Sequence, residues 1–445
     1  MRLDLNKYKE SFNRLPEGVR AAEVNGTYQE HLACGISDGK LVKSGYHEQV
    51  DIYLRADGEK SCTVCTQDLD ADPEELLLKA LENSRYVSDE TVKPMNNGEP
   101  CHVECDVTAD MPELLRYARM LEETALKRDD VAEVEKCQIS YDLRAVSDIN
   151  STGMDRYYES ACFTVDLSVA IRREEDTQSG SFYGSYPSLE SIPMEMIVQD
   201  AIDDGNYSDG FGAEKIRMST GSYKAILSSQ VTEMIMCVIW EMFAGDSILS
   251  RRSVFSDQRG EQIASPLVNI VDTPKCPYMA NDLRIDREGS LAVERRVIDS
   301  GWFREPLNNL RTASEIGDDH AGNGGRTSLF DTVTPNIIYM EPGEDTVDQL
   351  ISEMGDGIYI SYITDEFHSI NNQSGDYSIP FGGVLYRDGK VAGRVGQLTM
   401  SGNIRDLLKD VMAVGNKLTF EDFDLGDGFY CGGPAILVKN IRIVQ

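Results

Sequence analysis

The sequence predicts an α+β protein with an N-terminal α/β region and a β-rich, barrel-like C-terminal region. Strand runs are punctuated by isolated helices rather than alternating with them, which disfavours a doubly wound parallel sheet. Asp-Gly turns sit between alternating runs at Ser37–Lys40, Ala56–Glu59 and Arg387–Lys390, a hairpin signal. The length of 445 residues, with 41% hydrophobic and 27% charged residues, suits two or three globular domains with a sizeable core.

The N-terminal half opens with a helix over residues 3 to 13 and an antiparallel meander from Ala21 to Asp68. Pro73 to Val87 then reads as a helix, with Pro in its first turn and Leu76, Leu77, Ala80 and Leu81 on one face. Pro94 to Pro100 reads as a linker or long loop. Met111 to Arg128 is amphipathic, burying Leu114, Leu115, Ala118, Leu121 and Ala125. Strands follow over Glu133 to Ile149 and Arg156 to Arg172, joined by the turn Asn150-Ser-Thr-Gly153. A helix over Pro193 to Asp203 leads into a polar loop, Gly205 to Gly212, taken as the boundary between regions 1–215 and 220–445.

The second region starts with a strand at Tyr223 to Leu227 and a helix at Gln230 to Ala244. That helix contains the longest apolar run, Met234 to Trp240, and should be buried almost all round. Further strands are expected at Leu267–Val271, Glu294–Ser300, Asn336–Met340, Gly357–Thr364, Tyr377–Tyr386, Val391–Met400 and Ala435–Val444. One late helix is expected at Ile404 to Val414.

Composition excludes several functions. A net charge of −33 argues against nucleic acid as a partner, since phosphate binding needs clustered Lys and Arg. The seven-residue apolar run is too short for a membrane span of about 20 residues. The first residues show no leader-like apolar run, and ten scattered cysteines fit reduced thiols, so a cytoplasmic protein is expected. The five histidines stand at 31, 47, 102, 320 and 368, so no HExxH helix exists. Cys62 and Cys65 with Cys101, His102 and Cys105 could in principle make a zinc site, but plain thiols are the simpler reading. Gly322–Gly325 lacks the lysine of a phosphate loop and reads as a mobile loop. Generic chemistry alone reveals no catalytic constellation.

Ordered short motifs say more. They are Asp286-Arg-Glu-Gly289, Val297–Gly301, Leu310-Arg-Thr-Ala313, Pro342-Gly343, Gly357-Ile-Tyr359, Ser374–Ser378, Asp388-Gly-Lys390, Leu398–Asn403 and Val414-Gly-Asn416. In this order they resemble the TldD/PmbA (TldE) family over roughly residues 19 to 444, with Asn150–Gly153 similar to its NSxG turn. The older family name, modulator of DNA gyrase, reflects indirect effects through peptide processing.

The resemblance implies paired subunits of similar fold. A TldD-like chain carries HExxxH and a downstream cysteine as zinc ligands of a peptidase. A PmbA/TldE-like chain lacks the histidines and completes the dimer. Counting back from Gly245-Asp246, the HExxxH window falls on Met236 to Glu241, with Met236 and Glu241 at the histidine positions and Cys237 at the glutamate. Cys431 falls at the ligand cysteine. The resemblance therefore implies a non-catalytic subunit with no metal or cofactor of its own, and zinc in a TldD-like HExxxH partner. The substrate would be peptides or unfolded segments. Alternatives are a stand-alone homodimeric peptide-binding protein, or a cysteine-dependent peptidase using Cys431 or Cys237. Ser374, Gly375, Asp376, Tyr377 and Ser378 are the candidate edge strand for peptide capture.

Overall fold

The computed structural model describes residues 2–86, 95–98, 100–174, 176–327, 330–423 and 429–445. Val87, Pro94 and Glu99, which belong to the expected second helix and linker, lie outside them.

The N-terminal region is built on a seven-stranded sheet. Its order is Ser61–Thr66, Lys40–Asp57, Ala21–Ser37, Val131–Asn150, Asp155–Arg172 and Cys101–Val103, with Thr177–Tyr186 also on Asp155–Arg172. The pairings are antiparallel except that of Cys101–Val103. Alternation sorts the side chains. On Val131–Asn150, Ile139, Tyr141 and Leu143 are buried under the helices Met111–Leu126 and Met194–Asp209, while Ser140, Asp142 and Arg144 face the other way. A second core lies under Asn6–Phe12 and Pro73–Asn83, where Leu3, Tyr8, Ile52, Leu54 and Leu77 pack. Asp72 and Asp110 cap their helices through Glu74 N and Glu113 N.

The C-terminal region is a ten-stranded sheet, five strands of which close a barrel. The ring runs Gly221–Leu227, Gly357–Ile363, Asp376–Arg387, Lys390–Asn403 and Phe429–Val444, and the last strand returns to the first. Its largest core includes Leu227, Ile235, Met236, Phe243, Phe255, Ile338, Phe381 and Val438.

Several expectations change. The polar stretch after Asp203 continues the helix to Asp209, and the helix stops at Gly210 in a left-handed conformation. Gly205 sits where the helix crosses the unexpected strand Thr177–Tyr186, and a Cβ there would fall 2.9 Å from Ser179 O. A glycine and several aspartates thus mimic a loop when they serve a close helix–strand crossing. The late helix ends at Lys409, and Val411–Phe423 is a strand, in which β-branched residues find their partners on Phe429–Val444. The helices Leu310–Ile316 and Val347–Met354 are unforeseen, although Asn309 and Thr346 cap them in reciprocal side-chain boxes.

Candidate functional site

The helix Ser229–Ile239 carries the central question. Ser228 caps it, accepting from Val231 N at 3.2 Å, and bonds the barrel through Ser361 O. Its residues Val231–Glu233 and Ile235–Ile239 are buried, as its apolar run predicts. The helix lies against Phe429–Val444, and Gly433 permits the approach: a Cβ there would stand 2.7 Å from Glu233 N.

This packing brings Cys237 against Cys431. The Cys431 thiol is fully buried and hydrogen-bonds with Cys237. Burial pushes its pKa up, the Cys237 bond opposes this, and the carboxylates of Glu233 and Asp272 add to the rise. A reactive cysteine needs the opposite environment, exposed and electropositive. His320 and His368 are both exposed, His368 beside Asp365 at 2.8 Å. The two thiols thus face each other inside the core, away from both imidazoles.

Met236 is buried in the apolar core, whereas Glu241 sits on the 3₁₀ turn Trp240–Phe243, exposed, and accepts from Asn372 Nδ2 at 2.8 Å. The structure unites Cys237 with Cys431 and sends Glu241 elsewhere. Zinc wants three convergent nitrogen, sulfur or oxygen donors and an open position. A thioether in a hydrocarbon core, an outward carboxylate and two buried thiols do not fit that demand. Among the described residues, no group of three or more His, Cys, Asp and Glu side chains is placed to hold a metal ion. The cysteines of the candidate N-terminal site are also apart: Ser61–Thr66 and Cys101–Val103 lie at opposite ends of the strand order.

Ser374 to Ser378 is not an open edge. Asp376, Tyr377 and Ser378 pair with Asn403, Gly402 and Ser401 on one side. Tyr377 bridges Ile370 on the other, and Asn371 N bonds Asp376 O at 2.9 Å. Gly375, at φ +79°, makes the turn beneath Asn371. Among the described residues, this stretch is engaged on both sides.

One of the ordered motifs, Asp286–Gly289, sits in a buried junction with the N-terminal sheet, where a Cβ on Gly289 would meet Met154 and Asp148. Asp286 accepts from the backbone N–H groups of Glu288, Ser290 and Gly324 at 2.7–2.9 Å, and burial raises its pKa to about 6. Gly322–Gly325 is no mobile loop. Gly324 starts a strand, and a Cβ on it would lie 2.7 Å from Glu288 Cγ. Asp272, fully buried, accepts from Asn323 Nδ2, Asn336 N and Asn336 Nδ2, in the field of Arg295. Asn96 of the expected linker bonds Ser290 Oγ at 3.1 Å and takes Asn150 Nδ2 on its carbonyl, so this stretch is pinned to the junction. Charge burial on this scale had no periodic signal in the sequence.

A polar cleft of about 480 Å³ lies on the face of the N-terminal sheet opposite its helices. His47, His31, Asp142 and Cys162 stand in register across four strands of its floor. Asp142 bonds His31 Nδ1 at 2.6 Å and accepts from Ser140 and Thr164 hydroxyls at 2.9 and 3.0 Å. Asn281 and Tyr430 of the C-terminal region complete the wall and bond each other at 2.6 Å. Sequence reasoning missed this cleft, since its residues come together only through strand register.

The model of the PmbA/TldA metallopeptidase C-terminal domain matches residues 220–445. The chain belongs to the PmbA/TldD family. Curated relatives of this PmbA/TldD protein include a metalloprotease from Methanothermobacter thermautotrophicus, 29% identical over 44% of this chain and 44% of its own length. Metalloprotease PmbA of Escherichia coli O157:H7 is 21% identical over 51% of this chain and 47% of its own length. The matched part thus spans about half the length of these relatives. TldE from Thermococcus kodakarensis shares the fold, with a TM-score of 0.80 and 17% identity over 99% of this chain and 98% of that one. A candidate modulator of DNA gyrase from Thermotoga maritima does so at 0.81 and 22%, over 99% of this chain and all of that one. Among the described residues no helix is long and apolar enough to cross a membrane.

Proposed function

We propose that this chain is the TldE/PmbA-like, non-catalytic member of a paired zinc peptidase. Its partner is a chain of the same fold that carries HExxxH and the zinc, and together they process peptides or unfolded segments in the cytoplasm. The observation that carries the reading is the fate of the Met236–Glu241 window. Met236 is core, Cys237 is sealed against Cys431, and Glu241 faces solvent. A peptidase helix directs its ligands to one point, whereas here Met236 and Cys237 go into packing and Glu241 turns to solvent. The raised pKa of the buried Cys431 disfavours the cysteine-peptidase alternative.

Co-expression with an HExxxH homologue, followed by peptide digestion with and without chelator, tests the reading. Cleavage is expected from the pair only, and should stop on chelation. Chelator-sensitive cleavage by this chain alone would overturn it, and failure to co-purify with the homologue would favour a homodimeric peptide-binding protein.

A further inference from the structure

The strand Lys40–Asp57 is paired along one side and only partly along the other. Ala21–Ser37 runs its full length, whereas Ser61–Thr66 reaches only from Asp57 back to Ile52. Among the described residues no strand pairs with the far side of Lys40 to Asp51. Such an edge offers its outward amides and carbonyls to another strand. Leu41, Val42 and Tyr46 on it are 44%, 65% and 60% exposed, a large apolar outlay beside open backbone.

The charges of this edge say what fits it. Lys40, Lys43, Glu48 and Asp51 give two of each sign, so it favours neither an acidic nor a basic strand. It is instead complementary to itself. Pairing skips Val42, since Gly35 faces Lys43 and Ile36 faces Leu41. Leu41, Ser44, Tyr46, Glu48 and Val50 therefore share one face, and Lys40, Lys43 and Asp51 the other, cleft face. An antiparallel copy about a two-fold axis brings like faces together. With Tyr46 on the axis, Ser44 meets Glu48, Leu41 meets Val50, Lys43 meets Gln49 and Lys40 meets Asp51, each twice. Asp51 is the last open position before Ser61–Thr66, and Lys40 the first after the Asp38-Gly39 turn, so strand and edge end together. Moving the axis to His47 drives Leu41 onto the place of Thr66, and moving it to Gly45 sets Lys43 against His47.

The carboxylates behind the edge do not oppose this contact. Glu30, Asp142, Asp166 and Asp282 of the cleft pair with Arg2, His31, Lys136 and Arg284. Of the three on the sheet, Glu30 lies nearest, one strand behind the edge. At about 4.8 Å per strand it stays roughly 14 Å from its copy, beyond the Debye length of about 8 Å. Glu48, held by the Tyr28 and Tyr46 hydroxyls at 2.8 and 2.5 Å, faces Ser44 of the copy rather than another carboxylate.

We propose that a second copy of this chain adds antiparallel to the Lys40–Asp51 edge, with Tyr46 facing its own copy at the axis, so that two N-terminal sheets become one. The contact goes beyond the paired-peptidase reading and uses no residue of the Met236–Glu241 window.

Light scattering on the full chain at roughly 50 µM, above the micromolar affinity of so small an interface, should show a dimer. Tyr46→Lys sets two ammonium groups against each other on the axis and should weaken dimerisation at least about tenfold. Lys40→Asp and Asp51→Lys should each weaken it, and K40D/D51K should restore it, which no loss of folding can mimic. Under copper–phenanthroline oxidation Tyr46→Cys should cross-link faster than wild type, with its exposed Cys65, and faster than Ser44→Cys, whose residue faces Glu48 of the copy. In dilute solution, where the copies are apart, Tyr46→Lys should melt like wild type by intrinsic fluorescence. A wild-type monomer at the higher concentration would overturn the proposal. So would a dimer that Tyr46→Lys leaves intact, because the copies would then meet through another surface, or equal cross-linking of Tyr46→Cys and Ser44→Cys. No HExxxH chain takes part in this assay, so failure here leaves the paired-peptidase reading intact.

Discussion

The two sheets of this protein dispose of their faces differently. The N-terminal sheet buries one face under Met111–Leu126 and Met194–Asp209 and presents Gln, Ser, Thr, His and Asp side chains on the other, with part of one edge unpaired. The C-terminal barrel closes through Gly221–Leu227 and Phe429–Val444 and packs its helix so tightly that thiols, Met236 and Glu233 are all sealed. The open sheet keeps surface available for recognition. The closed one has committed Met236, Cys237 and Cys431 to its core. In a paired peptidase this division would leave the chain able to hold a substrate while its partner performs the chemistry.

The comparison can be broken at several depths. Phe243 stacks on Phe255 at 5.3 Å and meets Phe303 edge-on at 5.6 Å, so Phe243→Ala should cost about 3–5 kcal/mol in denaturant unfolding. A loss below about 1 kcal/mol would show the barrel core to be loosely packed. At the junction, Asp272→Ala leaves the buried Asn323 and Asn336 donors without their acceptor and removes a carboxylate from the field of Arg295, and should cost about 2–3 kcal/mol. Gly180→Ala should cost about 1–3 kcal/mol, because the new Cβ would fall 2.0 Å from Ala201 O at the helix crossing.

Asp286 makes a prediction in pH. Its folded-state pKa of about 6 lies above the ordinary value of about 3.9, so the folded protein binds this proton more tightly than the unfolded chain. The group therefore opposes folding fully above pH 6, and the penalty fades as pH falls through 6 and vanishes below about 4. Wild type should gain Tm relative to Asp286→Asn as pH is lowered across that window, and parallel Tm curves would refute the shift. The smallest effect is expected on the open edge. Tyr46→Ser should change stability by no more than about 0.5 kcal/mol, since the ring is largely exposed. A larger loss would mean that the exposed strand is supported by contacts the comparison denies it.

Much of the fold was legible. Alternation and Asp-Gly turns located the long hairpins, and the apolar run Met234–Trp240 marked the buried helix correctly. The misreadings share one cause. Gly205, Gly324 and Asn96 are polar or flexible by type, yet each is used where backbones or buried charges meet across the chain. Local composition cannot distinguish a residue that is small because it moves from one that is small because a neighbour presses on it. The edge strand sought at Ser374–Ser378 was misplaced for a related reason. Pairing on a strand's second side depends on segments distant in sequence, here Ile370 against Tyr377 and Ser61–Thr66 stopping short at Ile52.

By itself, the sequence determined the α+β class, the family, and the absence of histidines from the helix Ser229–Ile239, because these depend on residue identity and local order. Tertiary structure decided what that helix packs against. Cys237 and Cys431 are 194 positions apart and meet only because a glycine at 433 lets a helix press onto a barrel strand. It likewise decided which strand edge stays open and that His47, His31, Asp142 and Cys162 share one row. Register between strands is set by the packing of the opposite, apolar face, so polar neighbours across the row leave no trace in the linear order.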